Sequence, residues 1–217
     1  MNNSKEHQLS SSPLRVITVT GNGQVATQPD YVQLRFEVST EGKDVSEAQQ
    51  ENAIIMNRVI QSILALNIPK EDIQTVAYNV TANYDYIEGK QVFRGYEVTN
   101  AITVKVTDIS QVGIVIDTAV QNGANRISSI QFGIENPDAS YQQALRLALK
   151  DAQTKAKTIA ETMKLTLHPQ PIEIVEEREA QAVPLFKSVA MADQSQVTPI
   201  EQGKITISAA VRVKFQY

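Results

Sequence analysis

The 217-residue chain has no cysteine and no tryptophan. Without cysteine there can be no disulfide framework, no thiol nucleophile and no thiolate metal site. Histidine occurs only twice, at His7 in a polar N-terminal stretch and at His168 beside Pro169. Two histidines so placed make a poor zinc site. Positive charge is not in excess either: the net charge is −4, so the overall field does not favour phosphate backbones or anionic membranes, and nucleic acid is not an expected partner. No stretch approaches the roughly 20 apolar residues of a membrane span. The opening residues lack the apolar run of about seven or more that marks a secretory signal. At face value this predicts a cytoplasmic protein with no integral membrane segment, and a disordered polar tail over residues 1–13.

What the chain does contain is two alternating periods. Val32, Leu34, Phe36 and Val38 interleave with Gln33, Arg35, Glu37 and Ser39, the period-2 mark of a half-buried strand. The β-branched run from Leu14 to Thr20 reads as a strand before it. Val76, Tyr78, Val80, Ala82, Tyr84 and Tyr86 put one apolar face on a long third strand. Glu88-Gly89-Lys90 suits a hairpin turn. A fourth strand follows, with Tyr96, Val98, Ile102, Val104 and Val106 on one face; Asn100 interrupts that face and marks a bulge or an interface. Ile130, Phe132 and Ile134 give a fifth strand, and Ile172 with Ile174 a sixth. In the last strand Ile205, Ile207, Ala209, Val211, Val213, Phe215 and Tyr217 share one face, a habit of antiparallel sheets with one wet side.

Three helices interleave with these strands. The first spans about 45–66, with Asp44 as N-cap, Glu47 placed for a capping box, and Ala48, Ile55, Met56, Val59, Ile63 and Leu66 facing inward. The second covers about 110–121, and Gly123 suits its C′ position. The third runs over about 137–164, with Asn136 as a cap and Pro137 at the first helical position. Its Ala144, Ala148, Ala152, Ala156 and Ala160 recur every four residues, a stripe that lets a helix lie close to whatever it covers. Asp151 and Lys155 form an i,i+4 pair in the favourable order.

Residues 177–202 break both periods, with Pro184, Pro199 and an apolar patch at Val183 to Phe186. So long a loop is uncommon unless it is functional or disordered. The order ββαββαβαββ predicts an α+β fold: a layered, largely antiparallel sheet covered by two long helices and one short one. Residues 14–217 are expected to form one domain, with a division into lobes 14–87 plus 203–217 and 92–176 as the alternative.

Several segments together resemble the SIMPL family. Ile17-Thr18-Val19-Thr20-Gly21-Asn22-Gly23 leading to Pro29-Asp30 is similar to the family's opening pattern. Ile73-Gln74-Thr75 stands ahead of a tyrosine-bearing strand, although Tyr84 lacks the family's accompanying proline. Ala144, then Ala148 with Asp151-Ala152 and Lys155-Ala156, resembles the family's helix signature, and Pro199-Ile200-Glu201-Gln202-Gly203 resembles the segment that opens its final strand. The resemblance covers about residues 16–215. It implies a bacterial protein whose relatives are often exported and sometimes linked to oxidative-stress tolerance, some of them forming ring- or channel-like homo-oligomers. It supplies no catalytic residues.

Other motifs favour plain readings. Gly21-Asn22-Gly23-Gln24-Val25-Ala26 has the letters of a dinucleotide fingerprint, but that motif needs a helix next to hold the pyrophosphate. Gln28-Pro29-Asp30 and a strand follow instead, so a glycine turn between paired strands is expected. Glu176, Glu177 and Glu179 could attract a hard cation but read as a solvated face. Asp30, Asp44, Asp72 and Asp151 have nearer work as turn, cap or ion-pair residues. No serine stands in a nucleophile-elbow context with a histidine base. Tyr78, Tyr84 and Tyr86 share the core-facing parity and are expected to pack inside. Phe93 and Arg94 near the hairpin tip, together with Val183, Leu185 and Phe186, are the candidate interface residues. No catalytic, cofactor-binding or metal-ligating residue emerges and no cofactor is expected. The leading expectation is a non-enzymatic homo-oligomeric protein, with a small-ligand or partner-binding module as the alternative and a stress-related enzyme as a weaker third.

Overall fold

The computed structural model describes residues 15–177, 183–185 and 198–217. Their contacts gather into two compact units, one built from segments at both ends of the chain and one from its middle. The fold is α+β and antiparallel, as the periodicity predicts, but the strands divide between two sheets.

The middle unit contains β2 (Tyr31–Gly42), α1 (Val45–Leu64), β3 (Ile73–Ile87), β4 (Lys90–Val106), α2 (Val112–Gln121) and β5 (Arg126–Gly133). Its sheet order is β3-β4-β2-β5, with every neighbour antiparallel. Each helix therefore joins two strands that flank a third, the split βαββαβ arrangement of ferredoxin-like sheets. Val32, Leu34, Phe36 and Val38 from β2, with Val98, Ile102, Val104 and Val106 from β4, are buried. All of these but Val98 join Met56, Val59 and Ile63 of α1 and Val112, Val115 and Ala119 of α2 in one apolar cluster. Burying a side chain of this size contributes about 1.5–3 kcal/mol.

Local signals explain where these elements begin and end. The Asp44 carboxylate accepts from the amides of Ser46 and Glu47, capping α1. Gly123, just past the C-cap Asn122, has φ +115°. Glu88 and Gly89 both have positive φ, the requirement of a two-residue type I′ hairpin turn. One residue of the α1 core escapes the apolar periodicity. Asn52 is fully buried, and its amide donates to the carbonyls of Val38 and Val98, stitching α1 to two strands.

The other unit contains β1 (Val16–Thr27) up to Ala26, α3 (Asp138–Thr162), β6 (Pro171–Glu177) and most of β8 (Lys204–Gln216), with sheet order β1-β8-β6. The inward parity expected for the last strand holds from Ile205 to Phe215. Within the loop expected over 177–202, residues 183–185 form the short strand β7 (Val183–Leu185), which pairs with β8. The helix signature is also placed: all five stripe alanines of α3 are buried. Pro137 occupies the N-cap of α3, so the helix starts one residue later than its proline suggested.

The glycine turn expected at 21–23 is absent. β1 runs straight through Gly21-Asn22-Gly23, and no helix follows it. A Cβ on Gly21 would lie 2.0 Å from the Ala148 carbonyl oxygen, and one on Gly23 2.0 Å from that of Ala144. The glycines are there so that the α3 backbone, with its alanine stripe, can press against β1 at these two positions.

Candidate functional site

Chemistry-bearing side chains in the described residues are mostly committed to structural contacts. Asp30 accepts from the Glu135 amide at 2.9 Å. Asp151 accepts from the Asn22 amide at 2.9 Å and pairs with Lys155 at 2.7 Å, which holds its carboxyl below the ordinary aspartate range, Lys155 first and the amide second. Glu97 on β4 accepts from Ser39 at 2.6 Å and from Asn83 at 3.4 Å, and these two bonds lower its pKa, the Ser39 bond most. Glu173 and Glu177 on β6 pair with Lys214 and Arg212, while Tyr141 donates to Glu176. No group of three or more His, Asp or Glu side chains with metal-binding geometry occurs among the described residues. The His168 amide donates to the Gln216 carbonyl; His7 lies outside the described residues.

The β3–β4 hairpin departs from this pattern. Tyr78, Tyr84 and Tyr86, expected in the core, are 49%, 47% and 76% exposed. Their parity is right: Tyr78 lies opposite Asn100, and its hydroxyl accepts from Gln49 of α1 at 3.3 Å. What they lack is cover, because β3 is the outer strand of its sheet and the apolar cluster beneath α1 takes only Ile73 from it. Apolar side chains on β3 at Val76, Val80 and Ile87, and on β4 at Val92, are exposed as well. Phe93, 46% exposed, stands between Tyr84 and Tyr96 with centroid distances of 5.6 and 5.2 Å, both edge-to-face. Such pairs hold aromatic rings in fixed positions.

The candidate interface residues divide accordingly. Phe93 lies at the centre of the aromatic row, while Arg94 is the extra residue of a β4 bulge and pairs with Glu41 of β2. Asn100 is not itself bulged. The bulge lies near it, at Val76 on the facing strand, and the Asn100 Oδ1 is buried with no hydrogen-bond partner among the described residues. Val183 and Leu185 lie on β7, separate from the hairpin, and Phe186 falls outside the described residues. The tyrosines were missed as surface because parity reports a face and not its cover; the absence of charge along β3 was the available signal.

The unit with the alanine stripe also has a cavity of about 380 Å³ at the end of α3, walled by Ala160, Leu165, Leu167, Pro169 and Phe215, with Lys157 and Glu161 at its margin.

The class these features define is a two-sheet antiparallel α+β protein with an aromatic hairpin exposed among the described residues. The chain belongs to the SIMPL family, whose model, described as a protein of unknown function (DUF541), matches residues 17–215. It is 29% identical to the 26 kDa periplasmic immunogenic protein of Brucella melitensis biotype 1 over 98% of this chain and 88% of the relative. It is 28% identical to the protein of the same name from Brucella abortus, with the same coverage. It is also 28% identical to the uncharacterized protein YggE of Escherichia coli K12, over 92% and 82% of the two chains. No helix among the described residues is long and apolar enough to cross a membrane.

Proposed function

We propose that this protein works by assembling with copies of itself and performs no catalysis. The observation that carries this reading is the β3–β4 hairpin, whose aromatic row and flanking valines stand exposed on a sheet that buries the apolar face of β2 and of most of β4. Contiguous apolar surface rimmed by polar residues marks interaction sites, and tyrosine and phenylalanine are favoured at the centres of interfaces. The commitment of the carboxylates to caps, ion pairs and backbone amides supports the absence of catalysis. The relatives' names place the Brucella proteins in the periplasm. We extend that location to this chain in preference to the cytoplasmic expectation. Native mass spectrometry tests the reading: a defined oligomer that Phe93→Ala weakens at least about 10-fold agrees with it, since a buried aromatic anchor is worth about 2 kcal/mol or more. A chain that stays monomeric at high micromolar concentration contradicts it.

A second reading rests on the cavity at the end of α3, whose apolar walls and charged margin suit a small amphipathic molecule. It predicts a ligand-dependent rise in melting temperature, lost in Ala160→Phe, which fills the cavity.

A further inference from the structure

Along the main path of each sheet the outer strands are β1 and β6 in one and β3 and β5 in the other, while the three-residue β7 pairs with β8 off that path. An outer strand presents unpaired N–H and C=O groups, and proteins blunt such edges with charge, proline, bulges or cover. Of the main-path strands, β1, β6 and β5 are blunted. On β1 the Asn22 amide donates to Asp151, and Lys155 donates to the Thr20 carbonyl at 2.9 Å, so a charge pair on α3 occupies the backbone at mid-strand. β6 begins with Pro171, has a bulge at Ile172, and carries Glu173, Glu176 and Glu177. β5 is short, opens with Arg126, and bulges at Ser128.

β3 has none of these devices over most of its length. From Ile73 to Ile87 it contains no lysine, arginine or proline, and Asp85 is its sole charge. Its one bulged residue, Val76, lies near the start, and from Ala77 onward no β3 residue is skipped in the pairing with β4. Among the described residues only β4 pairs with it.

We infer that β3 is the contact strand of the assembly and pairs antiparallel with the β3 of a second copy, about a two-fold axis at Val80. This rests on the self-assembly proposed above and specifies its surface. The choice of occupant follows from the strand itself. A nearly uncharged edge offers nothing to attract a charged partner peptide, whereas a two-fold interface requires only that a surface match itself. Val80 is the midpoint of Ile73–Ile87, and an axis there pairs the regular stretch Ala77–Asn83 with its copy, short of the bulge at Val76. That register sets Val80 opposite its own copy, Tyr78 opposite Ala82 and Ala77 opposite Asn83. Aromatic and β-branched neighbours of this kind stabilise antiparallel pairs. The two four-stranded sheets become one continuous sheet, and the exposed tyrosines gain neighbours on the same face.

Sedimentation velocity with matched substitutions tests this. Val80→Lys places like charges opposite each other on the axis and is expected to raise the dimer dissociation constant at least about 100-fold. Ile127→Lys, the same change on the β5 edge of the same sheet, is expected to leave it unaltered. Circular dichroism and melting temperature verify that both variants fold. A second probe exploits the cysteine-free chain: Val80→Cys should give a disulfide-linked dimer under mild oxidation, and Ile127→Cys should not. If the wild type is monomeric, the assembly reading itself fails. If it assembles, but Val80→Lys assembles equally well or Val80→Cys does not cross-link, the β3 edge is the wrong surface. Concentration-dependent aggregates of no fixed size would also overturn the two-fold contact.

Discussion

Beneath α1 and α2 the space between helix and sheet is filled by Leu34, Phe36, Ile63 and Ile102, all fully buried. Beneath α3 the five stripe alanines meet Ile17, Val19, Val211 and Phe215 of the sheet, and at Gly21 and Gly23 there is no room for a further carbon. Both arrangements satisfy the same need to cover an apolar sheet face, but they fail in opposite directions. A large-residue core is damaged by removal, because the cavity cannot fully collapse. A glycine–alanine seam is damaged by addition, because the backbones already touch. Phe36→Ala should therefore cost about 3–5 kcal/mol in chemical denaturation. Gly23→Ala, a single added methyl, should cost about 1–3 kcal/mol or more. The comparison breaks if the methyl at Gly23 is neutral, or if Ala148→Gly destabilises the protein more than Phe36→Ala does.

The outer strands β1 and β3 sharpen the same contrast. α3 supplies Asp151 and Lys155 to the β1 backbone, whereas among the described residues nothing comparable reaches the β3 edge. Because the Asp151 pKa is lowered in the folded protein, first by Lys155 and then by the Asn22 amide, its contribution is present above the ordinary value of 3.8 and is lost as pH falls through the lower folded value. Asp151→Asn should flatten the decline of stability in that acid range, to a small extent because the pair is partly exposed. An unchanged acid limb would show that the pair does not hold the β1 edge. The α1 cap offers a control outside both edges: Asp44→Ala should cost about 1 kcal/mol and leave assembly unaffected.

Much of this was legible in the sequence because each element satisfies a local rule. Strand parity placed β2, β4 and β8. The alanine stripe announced close packing by α3, and Asp44, Gly123 and Glu88-Gly89 marked the start of α1, the end of α2 and the β3–β4 turn. What was not legible depends on which elements are neighbours. Nothing local separates a glycine that turns a chain from one that admits a helix, so Gly21 and Gly23 were expected in a turn. Nothing in the parity of Tyr78, Tyr84 and Tyr86 reveals that α1 leaves them uncovered. Asn52 escaped because its partners are carbonyls on β2 and β4, far from it in the chain. The hairpin of the candidate site was visible as tyrosine density, but its exposed position required the strand order.

Amide hydrogen exchange at two protein concentrations puts the open β3 edge to its most direct test. The outward-facing amides between Ala77 and Asn83 should exchange rapidly in dilute solution and slow markedly when the protein is concentrated, while the Asn22 amide, already held by Asp151, exchanges at the same rate in both. Equal and rapid exchange of those β3 amides at every concentration, in a sample that is nonetheless oligomeric, would contradict the account.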